Sequence, residues 1–264
     1  MSEKKFYLNR LNYSFFAVFL LFFCCFFAKN AIFLNFLEEK AENKAFQSGE
    51  KLKYKISYGK SHKKRGQLLA GYATLLVQEK DHDSYQLEAF GKTTKFFSLF
   101  MKISHQYKSI VDRETLNALT FNMSAQEGKF YTNDSITFNR NAEFQIKNSN
   151  DILSTLYKLR ATSIVDVENI DTLFFSYYYN DEFFESYVIN LGKEVIRTKF
   201  GSINTIKWSP LLEKGRVFKD THGAFIWTTS NSMHIPMKLE IPILVGSIYV
   251  TLVSSEGTLY NLNN

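Results

Sequence analysis

Five histidines, His62, His82, His105, His222 and His234, are the residues best able to move a proton or hold a metal near neutral pH. They are scattered: none lies in an HExxH helix or next to a second ligand at metal spacing, so the sequence specifies no metal centre. Ser57-Tyr58-Gly59-Lys60 has the Ser-x-x-Lys pattern of a nucleophile and its base. That pair needs a helical turn to meet, and this stretch alternates like a strand. A Gly-x-Ser-x-Gly elbow, a P-loop and a dinucleotide-binding glycine run are all absent from the sequence. Asp181-Glu182, and Asp112 with Glu114, are the remaining source of paired carboxylates. Both fall at turns, where solvated acids are the ordinary expectation. A hydrolase of envelope polymers would need folding to bring two acids to about 5–10 Å. No catalytic residue, metal or cofactor is therefore assigned from the sequence.

The chemistry that remains is binding. Aromatics are 16% of the chain, and Phe96, Phe97, Phe100, Trp208 and Trp227 are the candidates to line a cavity that takes a lipid or a glycan. Thr94–Lys102 is expected to be a short helix carrying Phe96, Phe97, Phe100 and Met101 along one side, a stripe that usually belongs to a core. Arg160 closes a second, amphipathic helix over Ile152–Ala161, capped by Asn150-Asp151. At that position it complements the helix dipole or takes a carboxylate from a neighbouring strand as a structural ion pair. Glu127-Gly128 is expected at the rim of a hairpin.

The elements that must position these residues are strands. Glu50–Tyr58 alternates strictly, with Leu52, Tyr54, Ile56 and Tyr58 on one face and Lys51, Lys53 and Lys55 on the other. Similar runs recur every ten residues or so. In the first half they are 67–78, 84–93, 106–111, 119–126, 129–139 and 143–147; in the second, 173–179, 183–191, 194–199, 203–208, 224–229, 237–241 and 247–253. Few prolines and glycines (3 and 12) and no fixed repeat exclude collagen-like and solenoid chains. The fold class expected is all-β: a large antiparallel sheet curled into a barrel or half-barrel, with one or two short helices.

Ahead of this domain, Lys4, Lys5 and Arg10 precede the uncharged block Phe15–Phe27, followed by Ala28-Lys29-Asn30-Ala31. A basic leader and an apolar core shorter than the ~20 residues of a span describe a signal peptide, with retention as a membrane anchor as the alternative. Both cysteines, Cys24 and Cys25, lie in the block; Phe23 ahead of Cys24 does not suit lipidation, and cleavage would leave a chain without thiols. Residues 1–31 are thus a signal peptide or N-terminal anchor, 32–45 a connecting segment and 46–264 a single β-barrel-like domain. The expected location is the periplasm or cell envelope, with membrane contact through the N-terminal segment if it stays. Half of the net charge of +6 resides in residues 1–31, and no nucleic-acid motif accompanies the rest, so a nucleic-acid partner is not expected.

Several stretches in order resemble one family: Phe46 to Tyr54, His105-Gln106-Tyr107 to Val111-Asp112, Gln126-Glu127-Gly128, Asp151 to Arg160, Gly192-Lys193-Glu194, Ser209-Pro210 with Gly215 to Phe218, and Ile235-Pro236 with Val245-Gly246-Ser247. Over about residues 46–255 the chain is similar to the exported bacterial proteins of DUF3108. That resemblance implies export and an all-β, barrel-like fold, with likeness to envelope lipoproteins of capsule-export clusters, and it carries no activity. The expected role is a non-enzymatic envelope module binding an amphipathic ligand, lipid or glycan. The alternative is a structural partner in an envelope or polysaccharide-export assembly, using a strand edge or the lysine face.

Overall fold

In a computed structural model, the residues described are 43–59, 67–138, 150–162, 170–179, 182–212 and 221–262. The N-terminal apolar block, the strand expected at 143–147, the basic residues Lys60, Lys63, Lys64 and Arg65, and Gly215 to Phe218 lie outside them. The described strands are β1 (Lys51–Gly59), β2 (Leu68–Asp81), β3 (Ser84–Thr93), β4 (Ile103–Asp112), β5 (Ala118–Glu127), β6 (Phe130–Thr137), β7 (Thr172–Tyr179), β8 (Glu182–Thr198), β9 (Gly201–Pro210), β10 (Phe225–Thr229), β11 (Pro236–Pro242) and β12 (Ser247–Glu256). Among the described residues one α-helix, α1 (Ile152–Arg160), interrupts them.

All twelve strands form a single antiparallel sheet in the order β6-β5-β4-β3-β2-β1-β12-β11-β10-β9-β8-β7. The first and last strands of the domain pair at its centre, Lys51 opposite Glu256 and Gly59 opposite Ser247. Alternation drives this: Leu52, Tyr54, Ile56 in β1, Val250 and Leu252 in β12 and Leu239 in β11 are buried side by side on one face, with Tyr54 opposite Leu252 and both Ile56 and Leu239 opposite Val250. The sheet curls around that face but is not closed by backbone pairing, since β6 and β7 are its two edges. Across the gap the Tyr178 hydroxyl donates to Asp134 Oδ1 at 3.0 Å. Asn150 and Asp151 fill in beside it. The Tyr178 amide donates to Asn150 O at 2.7 Å, and Asn150 Oδ1 accepts from the Ala118 amide at 2.8 Å.

α1 lies inside the curl, which is why it is buried on nearly every side. Its N-terminus is held by Asp151, fully buried, whose Oδ1 accepts from the Leu153 and Ser154 amides. Oδ2 accepts from the Ser109 and Ser154 hydroxyls at 2.6 and 2.8 Å. Burial pushes the carboxyl above the ordinary aspartate range, against these four donors.

Two local expectations are corrected. The helix expected at Thr94–Lys102 is one 3-10 turn, Phe97–Leu99, because both flanks are drawn into strands: the Ile103 amide donates to Thr93 Oγ1 at 3.1 Å, and the Phe97 amide to Thr94 Oγ1 at 3.2 Å. The strands expected at 183–191 and 194–199 are one strand, β8. A register shift between Asn190 and Lys193 takes up the left-handed Gly192 (φ 91°), whose amide is caught by Asn190 Oδ1. The glycine marks a bulge and not a turn.

Candidate functional site

Because strand directions alternate, the sheet has two ends. One gathers the start of β1, the β10–β11 turn and the C-terminus of α1. The other gathers the β3–β4 connection, the β5–β6 hairpin and residues 243–246 between β11 and β12.

At the first end Arg160 is 2% exposed and its guanidinium is fully engaged. Nη1 and Nη2 donate to the two oxygens of Glu50 at 2.7 and 2.9 Å, Nε to Met233 O at 3.2 Å and Nη2 also to Ala45 O at 3.2 Å. The rings of Tyr157 and Phe46 lie 5.0 and 5.8 Å from the guanidinium carbon. Burial opposes its charge, but the Glu50 carboxylate more than offsets this, so its pKa rises. Burial likewise pushes the Tyr54 and Tyr157 hydroxyls well up, keeping them neutral. Glu50 has the parity of Leu52 and Tyr54, so alternation alone marks it as an inward-facing carboxylate; nothing in the sequence named it as the partner of Arg160.

Beside this pair is a cavity of about 50 Å³ lined mainly by apolar groups, among them Leu156, Leu173, Val188, Trp208 and Ile226, with Arg160, Thr228 and His234 as its polar members. No carboxylate is among its lining residues. His234 is buried in a left-handed conformation (φ 41°), with neither ring nitrogen in a hydrogen bond. Burial holds its pKa below the ordinary histidine value, against the nearby backbone of Thr229 and Thr162.

The five aromatics singled out from the sequence do not come together in one place: Phe96 and Phe97 each meet Phe100, and the two tryptophans lie apart from them and from each other. Trp208 lines the interior cavity, its indole donating to Thr228 Oγ1 at 3.0 Å. Trp227, paired with Lys207 and Lys238, sits on the opposite face of the sheet. There Lys238 Nζ is 4.3 Å from its ring and the indole N–H donates to Glu194 Oε2 at 3.0 Å. Phe96, Phe97 and Phe100 belong to the other end of the sheet. Trp208 pairs with Ile226, one position from Trp227, so the two indoles face opposite ways, which the spacing of nineteen residues could not reveal. Of the candidate acids, Asp112 caps its own turn by accepting from the Thr115 amide, and Glu182 is exposed at the start of β8. Asp181 lies outside the described residues. The described residues hold no cluster of three metal-ligating side chains.

At the second end a buried polar chain was missed. His105 Nε2 lies 3.0 Å from Glu127 Oε1, an ion-pair distance without hydrogen-bond alignment, and Nδ1 pairs with the Tyr107 hydroxyl at 2.9 Å. Tyr107, itself hydrogen-bonded to Tyr179, is kept neutral by burial. Parity carries the signal again: His105 follows Tyr107 and Ser109 inward, and Glu127 follows Met123 and Ala125.

Above this chain stands the most unusual surface of the protein. Leu99 is 81% exposed, Phe100 75%, Phe96 57%, Tyr131 71% and Phe130 62%, with Met101 also exposed. The stripe expected to be core faces outward; only Phe97 packs against the core. The turn that carries it is well tied: Ser98 Oγ bonds Thr93 Oγ1 at 2.9 Å, the Met101 amide donates to Phe97 O at 3.0 Å, and the Gly128 amide donates to Lys102 O at 2.7 Å, joining the two loops. Leu68, Leu244 and Val245 continue the rim at the same end. No described helix is long and apolar enough to cross a membrane.

The family model described as "Protein of unknown function (DUF3108)" matches residues 53–253. No curated protein matches. Among solved structures, a β-barrel-like protein of domain of unknown function DUF1849 from Brucella abortus is similar at 7% identity and a TM-score of 0.50, over 81% of this chain and 99% of that one. The hypothetical protein CT021 from Chlamydia trachomatis aligns at 8% identity and a TM-score of 0.38, over 81% and 89%. A Bacteroides fragilis protein with a YmcC-like fold, described as a candidate exported protein, aligns at 10% identity and a TM-score of 0.31, over 80% and 97%. The Brucella structure supports the barrel-like fold and nothing beyond it.

Proposed function

The chain belongs to the DUF3108 family, and on that premise we propose that it is an exported envelope module whose apolar rim holds membrane lipid, acting by binding. The observation that carries this is the rim itself. A hydrogen-bonded turn and a neighbouring hairpin hold Phe96, Leu99, Phe100 and Phe130 in the open, where folding gains nothing from them. Each fully buried Leu or Phe is worth about 1.5–3 kcal/mol, so a lipid surface that accepts two of them gains more than a hundredfold in affinity. The basic leader and Phe15–Phe27 support export, as an N-terminal signal or anchor ahead of the barrel.

The test uses Phe100→Trp in the full chain as a local probe, since Trp208 and Trp227 are buried. With vesicles containing brominated lipid, the added emission shifts to the blue and is quenched, and Leu99→Ser in the same background weakens this at least tenfold. An introduced indole that stays fully exposed with vesicles present would overturn the reading. Recovery of a tightly bound protein in place of lipid would move the role to an envelope assembly.

A further inference from the structure

We propose that the surface this rim recognises is anionic: a bilayer leaflet rich in negatively charged headgroups. The proposal rests on the lipid-binding reading above and adds the charge of the partner, argued from the side chains that surround the apolar tip. From Ala89 to Lys108 the chain carries Lys92, Lys95, Lys102 and Lys108 and no Asp or Glu. Lys92, Lys95 and Lys102 are exposed at the β3–β4 connection, and Lys129 is exposed in the hairpin beside them. None of these four is engaged in an ion pair among the described residues. In the described β3–β4 connection and β5–β6 turn the one carboxylate, Glu127, is turned inward, mostly buried, and taken up by His105. Folding has thus removed the acid and left the cations standing around Leu99 and Phe100.

Three lysines elsewhere on the sheet are arranged differently. Lys53 is paired with Glu256 and Lys207 with Glu194 across neighbouring strands, and Lys238 with Glu240 along β11, so each of these cations has an acid beside it. An apolar tip ringed by uncompensated ammonium groups matches a lipid surface in two layers. The rings reach below the headgroups, while long lysine side chains stay at headgroup level, where phosphates neutralise them. Each lysine near an anionic surface contributes about fivefold in partitioning. Attraction of this kind fades as salt shortens the Debye length.

The experiment follows the same introduced indole, Phe100→Trp in the full chain, against vesicles of phosphatidylcholine alone and vesicles with one third phosphatidylglycerol. Quenching by brominated lipid should be strong on the anionic vesicles, at least tenfold weaker on the zwitterionic ones, and reduced by raising salt. Adding Lys95→Gln, Lys102→Gln and Lys129→Gln should cost roughly a hundredfold on anionic vesicles and little on zwitterionic ones. These lysines are exposed, so the variant's thermal midpoint should match that of its parent, and it checks the fold independently. Equal quenching on both vesicle types, or quenching indifferent to the three lysines, would overturn the anionic proposal while leaving lipid binding intact. No quenching on either would overturn both.

Discussion

At one end of the barrel Arg160 draws the Glu50 carboxylate and the carbonyls of Ala45 and Met233 into a buried knot with every guanidinium nitrogen engaged. At the other, Leu99 and Phe100 stand in solvent on a turn whose own backbone is hydrogen-bonded. Both ends are ordered, but what the order serves differs. The knot joins the chain preceding β1, the end of α1 and the β10–β11 turn, segments far apart in sequence, so it holds the fold together. The rim holds only itself, and its side chains are left for something else to cover. Polar groups have gone inside where they are paired, and apolar groups outside where they are not. On the lipid-binding proposal, that inversion assigns structure to one end and recognition to the other.

Variants sharpen this contrast on a single axis, the stability of the folded chain. Arg160→Met should cost the most, about 3–5 kcal/mol in urea unfolding, because it leaves Glu50 buried and unpaired. Arg160→Met combined with Glu50→Gln should recover much of that loss, since the uncompensated charge is gone. A double variant as unstable as the single one would mean that the knot acts by packing and not by charge. Asp151→Ala comes next, at about 2 kcal/mol, through loss of the helix cap and of the acceptor for Ser109. Asp151→Asn keeps a capping oxygen and should cost less. It should also remove a pH slope. Burial raises the folded pKa of Asp151, so its contribution is fully present below the unfolded aspartate value and is lost as pH rises through the folded one.

His234 has the opposite sign. Its folded pKa is depressed by burial, so the neutral ring contributes stability above the ordinary histidine value, lost as pH falls through the folded pKa. His234→Asn, which tolerates the left-handed backbone, should flatten the decline in urea midpoint below about pH 6.5. An unchanged decline would place the acid sensitivity elsewhere. The smallest effect belongs to the rim: Leu99→Ser with Phe100→Ser should leave stability within about 0.5 kcal/mol, as both side chains are largely in water already. A loss above 2 kcal/mol would show that the rim is part of the fold and erase the contrast.

Much of the architecture could be read from period-two alternation. β1 stands where Glu50–Tyr58 alternates, and α1 follows its Asp151 cap within a residue of the expected end. The curl follows from many half-buried strands with few breaks. What alternation could not supply is which faces meet. Aromatic content alone suggests Trp208 and Trp227 for one cavity, although their registers against each other's strands put them on opposite faces. Helical spacing makes the Phe96–Met101 stripe read as a core face, because apolar spacing carries no information on whether a partner surface exists. The Arg160–Glu50 pair spans 110 positions and His105–Glu127 joins two hairpin strands. Each partner was marked as inward by parity, but parity names a face and not the residue across it.

The contrast between the ends is tested most directly by hydrogen exchange on the full chain with and without anionic vesicles. Slower exchange should be gained at residues 94–102 and 128–131, with no change at 229–236 beside Arg160. Protection at 229–236, or unchanged exchange at both rim segments under conditions where the protein is vesicle-bound, would contradict the assignment of recognition to the apolar end.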